Sequence, residues 1–421
     1  MRIALLSESY LPHTDGVAHM MARVVDELQK KHEILVITLD EKESVETNGV
    51  TVHRLKGTPL RAYPKCKYRV RPPYGKILKI LGDFEPDVIH TQTSLTLGAA
   101  GKHAANEMGI PIVSTFHTDL EGFATEIIRQ GNLKVNPLTR AALSSRFGKK
   151  LALKIIDRFS HPILYSYLNV VDAVTSPSDP ITELLIGKGV SEERIRKVPN
   201  PIELNPDSIS GEEFRDKWGV EGFMVLHVGR LSWEKRIDKI LETAARVKDA
   251  TFVITSEGPL GDDLKNAAAR MGLDNVKFTG YLPYKELYGA YHASDCFLAA
   301  SPYETFNISA AQALSFGKPI IGVKRLGLME FIKHGKNGFL VELNDKEISN
   351  YERYIRMLMG DAELKRSMGK KSRRIALRFE KRRVARKFLE VYKSAETNGF
   401  SEWKECRYLT ALLAFVKAAR I

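Results

Sequence analysis

One carboxylate and two cations carry the clearest chemistry in this chain. Glu304 lies in SPYETFNISAAQALSFGKPIIGV, residues 301–323, directly after a short apolar run at Cys296–Ala300 that reads as a buried strand. Turn chemistry at Ser301-Pro302 comes next, then an Ala-rich helix closed by Gly317 with Pro319 just beyond. A second buried run, Pro319–Val323, completes a strand–loop–helix–strand unit. The loop of such a unit sits at the carboxyl end of its strand, where open α/β sheets bind ligands. The first N–H groups of a helix lack partners and its dipole end is positive, so this loop suits an anion. An acid beside an anion site suits a ligand with hydroxyls as well as phosphate, and a nucleotide-sugar has both.

The two cations stand in Gly229-Arg230-Leu231-Ser232-Trp233-Glu234-Lys235, which opens after the apolar run Met224–Val228. Gly229 allows a sharp turn at the strand end. Arg230 offers a planar fork of donors and Lys235 a compact charge, a pair able to neutralise a departing diphosphate. Two solvated surface cations are the plain alternative; Glu304 and its helix N-terminus in the same half weigh against it. In the first half, Pro12-His13-Thr14-Asp15-Gly16-Val17 lies between the first strand and the first helix. Gly16 there allows backbone to approach a phosphate, although any tight turn favours glycine. His117, in Ser114-Thr115-Phe116-His117-Thr118-Asp119, ends another buried run, and His90 ends a third.

The elements that must position these residues alternate along the whole chain. Strands are expected at Ile3–Ser7, Ile34–Leu39, Val50–Arg54, Asp87–His90, Ile112–Phe116 and Ala173–Ser176, and again at Met224–Val228, Thr251–Thr255, Val276–Phe278, Cys296–Ala300, Pro319–Val323 and Phe339–Val341. Their runs are apolar on both faces, as parallel sheets covered by helices require. The helix expected at Ala18–Lys30 places Met21, Val24, Val25 and Leu28 at helical spacing. Two doubly wound halves follow, with a boundary near Pro199-Asn200-Pro201.

A chain of 421 residues exceeds one ordinary core. Its net charge of +13 and pI near 9.4 favour an anionic partner. Nucleic acid is disfavoured, because neither aromatic-interleaved basic strands nor a helix-turn-helix signature is present. Cys66, Cys296 and Cys406 are too widely spaced for a disulfide framework or a metal cluster. No apolar run approaches the ~18 residues of a membrane span. The opening MRIALLS reads as a strand rather than a signal peptide, so a cytoplasmic protein is expected. Residues 129–158 carry eight Lys/Arg against one acid, Asp157. Leu143, Phe147, Leu151, Ile155 and Phe159 recur between them about every fourth residue. Such a basic amphipathic segment suits an anionic membrane surface, and it equally suits packing on its own sheet. A second basic stretch, Lys365–Lys387, has twelve Lys/Arg against Glu380 alone, and Leu409–Ile421 is short and amphipathic.

GRLSWEK, EGPL at Glu257–Leu260, FTGYLP at Phe278–Pro283, PYETFNISAAQALSFGKPIIG and KNGFLV at Lys336–Val341, in this order, resemble the retaining nucleotide-sugar glycosyltransferases of the GT-B architecture, the Glu-x7-Glu group like glycosyltransferase family 4. The resemblance implies two Rossmann-like α/β domains facing across a cleft. Residues 1–200 would bind the acceptor and 201–380 the donor, with helices in 381–421 crossing back to the first domain. It implies that Arg230 and Lys235 hold the donor diphosphate and that Glu304 touches hydroxyls of the donor sugar. Backbone around Phe306, Asn307 and Ile308 would contact phosphate or sugar, and Gly16 would approach the donor phosphate. His117 matches the active-site histidine that faces the donor sugar; Asp119 either orients it or faces the acceptor.

The second Glu of the motif, which binds the ribose in the family, is here Gln312. An amide still accepts from a hydroxyl but loses the charge-assisted bond, so an altered nucleotide preference is expected. Asn307 stands where the family has Gly, and Leu326-Gly327-Leu328 where a Gly pair is usual. The resemblance further implies transfer from a UDP- or GDP-linked sugar with retention, without cofactor or bound metal. The loop FHTD, the opening LPHTDGVA and the basic segment are most like members that glycosylate diacylglycerol or phosphatidylinositol-type lipids, working on the inner face of the membrane. A soluble or polyprenyl-linked saccharide acceptor, or a non-catalytic nucleotide-sugar binder, remains the alternative.

Overall fold

The computed structural model describes residues 1–13, 15–47, 49–59, 69–94, 96–119 and 165–395. The basic segment 129–158, the stretch 409–421, Cys66 and Cys406 lie outside them. The chain forms two units: Met1–Pro199 joined by the residues from Arg382 onward, and Asn200–Lys381. Each is an α/β layer structure around its own sheet.

The first unit contains β1 (Arg2–Ser7), β2 (Glu33–Asp40), β3 (Ser44–Glu46) and β4 (Thr51–Lys56), the short hairpin β5 (Thr58–Pro59) and β6 (Arg69–Val70), then β7 (Val88–Thr91), β8 (Ile112–Thr115), β9 (Ala173–Ser176) and β10 (Ile195–Lys197). Its main sheet runs in the order β10-β9-β8-β7-β1-β2-β4-β3, parallel throughout except for the exposed edge strand β3. Ile3 pairs with Ile34 on one side and with Val88 on the other. Ile3, Ala4, Leu5 and Leu6 are all buried, because helices cover both faces of a parallel sheet.

The first helix spans Gly16–Leu28, two residues earlier at each end than its apolar spacing predicts. Asp15 sets that start. Its Oδ1 accepts from the amides of Val17 and Ala18 at 2.9 and 3.0 Å, pairing N–H groups a helix start leaves open. The last described helix, Lys381–Ser394, buries Val384, Ala385, Phe388, Val391 and Tyr392.

The second unit contains β11 (Phe223–Val228), β12 (Ala250–Thr255), β13 (Val276–Gly280), β14 (Cys296–Ala299), β15 (Ile320–Val323) and β16 (Gly338–Val341), ordered β13-β12-β11-β14-β15-β16 and all parallel. β14 and β15 are buried at every position, Cys296 included. Phe306, Phe331 and Phe379 meet edge to face, with centroids 5.1–6.1 Å apart. Such pairs add about 0.5–1.5 kcal/mol each beyond area burial.

In each unit the strand order reverses once. The reversal falls between β1 and β7 in the first sheet and between β11 and β14 in the second. Ligands of doubly wound sheets bind beyond the carboxyl ends of the strands at such a reversal.

Candidate active site

In the second unit, the reversal brings together the three residues with the clearest chemistry. β11 runs into Gly229 and Arg230, a short 3-10 turn at Trp233–Lys235, and then the helix Ile237–Arg246. β14 runs into Glu304 and then the helix Ile308–Ser315. Across the gap, Lys235 Nζ donates to Glu304 Oε1 at 2.5 Å, both side chains being mostly buried. Burial disfavours the ammonium, but the charge of Glu304 and its hydrogen bond outweigh that, and Lys235 is held above the ordinary lysine range. The positive charge of Arg230 opposes this weakly.

The loops that carry these groups are locked to one another by backbone. Leu231 N–H donates to Glu257 O and Leu260 N–H donates to Leu231 O, both at 3.0 Å. This tie explains EGPL: a Cβ on Gly258 would lie 2.3 Å from Leu231 O and 2.5 Å from Leu231 N. Trp233 meets Tyr303 edge to face at 5.4 Å, and Gly327 N–H donates to Glu304 O at 2.8 Å. A Cβ on Gly327 would strike Thr305 O at 2.3 Å, so this glycine is a packing requirement. Gly258→Ala is accordingly expected to destabilise the protein by about 1–3 kcal/mol, the usual range for overpacking. Urea unfolding of the variant and the native protein would check this.

The departures at 307 and 326 have a backbone reading. Asn307 adopts φ +63°, ψ +78°, in the left-handed region where Gly is at ease and Asn is the best-tolerated replacement. Its Oδ1 also accepts from Ala310 N–H at 2.9 Å, capping the Ile308–Ser315 helix, which glycine cannot do. Leu326 holds φ +43° without such help, a strained position for a branched side chain. Phe306 contributes its ring to the core, so only its backbone is available to a ligand.

Gln312 has a structural task at its motif position. It is 3% exposed, and its amide clasps the backbone of Glu203. Oε1 accepts from Glu203 N–H at 3.1 Å, while Nε2 donates to Glu203 O at 2.7 Å and to Ser315 Oγ at 2.9 Å. An amide supplies both the donor and the acceptor that a peptide group needs; a carboxylate supplies only acceptors. Gln312→Glu should therefore cost at least about 1–3 kcal/mol of stability without tightening nucleotide binding. A stable variant with higher affinity for nucleoside diphosphate would contradict this.

Two positioning features had no sequence signal. Arg236, at φ +52°, forms a two-pronged pair with Glu347 at 2.8 and 2.9 Å, and Tyr351 OH donates to Glu347 at 3.0 Å. This fixes the turn after Lys235 to a helix more than a hundred residues away. His227, buried on β11, has its Nδ1 2.9 Å from Leu298 O on β14. Burial pushes its pKa down to about 4. The KNGFLV motif is structural as well: Asn337 braces Phe331 O and Lys333 N–H, and a Cβ on Gly338 would meet Ile320 O at 2.0 Å.

In the first unit, the loop after β1 contains Asp15, which also accepts from Ser9 Oγ, and Gly16 is exposed as the first residue of its helix. His117 lies two residues beyond β8, and its Nε2 is 2.8 Å from Gln92 Oε1. Burial pushes its pKa down to about 4, against the pull of nearby Asp15. His90 is enclosed: it is 1% exposed, with Tyr392 OH and Thr115 Oγ1 each 2.7 Å from a ring nitrogen. It is a support rather than a ligand contact. Glu8, also unforeseen, is buried and caps the helix Thr96–Met108 by accepting from Leu97 N–H at 2.9 Å. Among the described residues, no group of three His, Cys, Asp or Glu is placed to hold a metal ion. No helix among them is long and apolar enough to cross a membrane.

Comparison with known proteins matches this architecture. Residues 14–205 match the model of Glycosyltransferase Family 4, and residues 211–375 that of Glycosyl transferases group 1. The chain is 30% identical over 335 residues to an alpha-monoglucosyldiacylglycerol synthase of Streptococcus pneumoniae, covering 76% of this chain and 70% of that one. It is 28% identical over 357 residues to a GDP-mannose-dependent alpha-mannosyltransferase of Mycobacterium tuberculosis, covering 82% and 85%. Among solved structures, Anabaena Alr3699/HepE in complex with UDP-glucose superposes with a TM-score of 0.71 at 20% identity, over 94% of this chain and 100% of that one. The chain belongs to the GT-B glycosyltransferases of the family 4-like group, and it is a glycosyltransferase.

Proposed function

We propose that the protein is a retaining, metal-independent hexosyltransferase that moves a sugar from a UDP- or GDP-linked donor to a hydroxyl of a membrane lipid of the diacylglycerol or phosphatidylinositol type. The observation that carries the donor site is the Lys235–Glu304 pair at the reversal of the second sheet, beside Arg230 and the capped helix start at Asn307. Arg230 and Lys235 take the diphosphate, and Glu304 takes hydroxyls of the sugar. Backbone N–H groups at Asn307 and Ile308 face the anion end of the ligand. The bond between the anomeric carbon and the diphosphate oxygen breaks, with the electron pair leaving on the diphosphate. The acceptor oxygen forms its bond on the same face, and its proton passes to the departing diphosphate. Protein cations and the helix start stabilise the developing charge, a role that metal ions fill elsewhere. His117 faces the donor sugar.

The lipid acceptor draws support from the diacylglycerol-glycosylating relatives and from the basic residues of 129–158. Basic residues near an anionic surface contribute about 1 kcal/mol each, enough for reversible docking at the inner face of the membrane. The test pairs a thermal-shift panel of UDP- and GDP-sugars with release of nucleoside diphosphate in the presence of liposomes bearing acceptor lipid. Binding without release would identify a non-catalytic nucleotide-sugar binder. Full liposome association after changing Lys149, Lys150, Lys154 and Arg158 to Glu would remove the docking argument.

A further inference from the structure

A continuous line of buried polar groups backs His117. Gln92 follows β7 directly, and its backbone N–H donates to Leu6 O at 2.9 Å, extending the ladder with β1 and fixing the main chain. Its side chain is 2% exposed. Oε1 lies 2.8 Å from His117 Nε2, and Nε2 lies 3.2 Å from each ring nitrogen of His90, bearing on that imidazole as a whole. His90 in turn is held by Tyr392 OH on one side and by Thr115 Oγ1 on the other, and Thr115 Oγ1 is 2.6 Å from Thr175 Oγ1. Phe388 packs against His90 with centroids 5.4 Å apart. Tyr392 and Phe388 belong to the helix Lys381–Ser394, three hundred residues downstream of His90.

We propose that Gln92 and His90 are positioning residues for His117, and that Tyr392 of the helix Lys381–Ser394 anchors them. This rests on the reading above in which His117 faces the donor sugar. An amide oxygen at Nε2 requires the ring proton to sit on that nitrogen, so Gln92 selects one tautomer and one ring orientation. An amide does so without a charge. A carboxylate in its place would favour the imidazolium and turn a neutral contact into a cation. Among the described residues, titratable groups that act on His117 include Asp15, from the loop ahead of the first helix, and His90 on β7, with Asp119 two residues along the same loop. Asp15 is already committed to Val17, Ala18 and Ser9, whereas Gln92 Oε1 lies within hydrogen-bond distance of Nε2.

The test compares the native full chain with Gln92→Glu, Gln92→Leu and Tyr392→Phe. The readouts are the pH profile of kcat/KM for donor turnover and the ¹⁵N NMR titration of the His117 ring. Gln92→Glu is expected to move the acidic limb and the His117 titration upward together by at least one pH unit. Gln92→Leu should lower kcat at least tenfold with donor KM within twofold, and Tyr392→Phe should do the same more weakly, about threefold. An unchanged His117 titration in Gln92→Glu would overturn the proposal, even where other variants fail to fold. The ring titration reads the wiring directly, whereas absence of turnover in the native chain would count against the glycosyl-transfer reading.

Discussion

Glu304→Ala is expected to lower turnover by about two to three orders of magnitude, the loss seen when one preorganised group is removed from a charge-stabilising site. The effect has two sources. On the proposed function the sugar loses a hydroxyl partner, and Lys235 loses the carboxylate that holds its ammonium at 2.5 Å. Because both side chains are mostly buried, the widowed cation also costs about 1–3 kcal/mol of stability. The combination Lys235→Met with Glu304→Gln separates the two sources. It should recover much of the stability, since replacing both charged partners of a buried pair is often near neutral, while activity stays lost. Steady-state turnover of the donor and urea unfolding of the single and double variants check this. Activity of Glu304→Gln within threefold of the native protein would refute the assignment.

The second large effect is acid lability. Burial holds His90 at a pKa of about 3, and His117 and His227 at about 4, against an ordinary value near 6.5. Above that ordinary value the three are neutral whether the chain is folded or not, and their packing is fully retained. As pH falls below it, the unfolded chain takes up protons that the folded chain refuses, and stability drops continuously toward pH 4. Each buried histidine contributes a slope of about 1.4 kcal/mol per pH unit in that window. The first unit holds two of them and the second one. Between pH 7 and 5.5 the first unit should therefore lose about 2–3 kcal/mol and the second about 1–1.5. Those pH values lie above the range in which ordinary carboxylates titrate. Denaturant midpoints at the two pH values, read separately for each unit, would show it; identical midpoints would refute it.

How far the chain could be read in advance follows from where the information lies. β1, β2, β11, β12, β14 and β15 were legible because buried parallel strands are apolar runs bounded by turn residues, a purely local signal. Arg230, Lys235 and Glu304 were legible because each sits next to a strand end marked by glycine or proline. Their meeting at one point could be expected from the topology that places reversals between β11 and β14. Edge strands β3 and β10 were not foreseen, being three residues long and partly polar. Gln92 and the Arg236–Glu347 brace were equally invisible, since their partners are distant in sequence and nothing local marks them.

Gln312 is the instructive case. Its spacing from Glu304 pointed to the nucleotide, but its burial depends on the backbone of Glu203, 109 residues earlier. Asn307 shows the reverse case. Its departure from glycine seemed to bear on the sugar, yet the left-handed backbone at that position accommodates both residues.

The paired backbone bonds that tie Leu231 to Glu257 and Leu260 bear on any attempt to retarget the enzyme. Each segment satisfies backbone groups of the other, so grafting one of them alone from a relative would put those amides and carbonyls at risk of mismatch at the seam. The two must be transplanted as a matched set. Changing donor choice one amino acid at a time is better confined to side chains at the loop tips, where the main-chain scaffold is left intact.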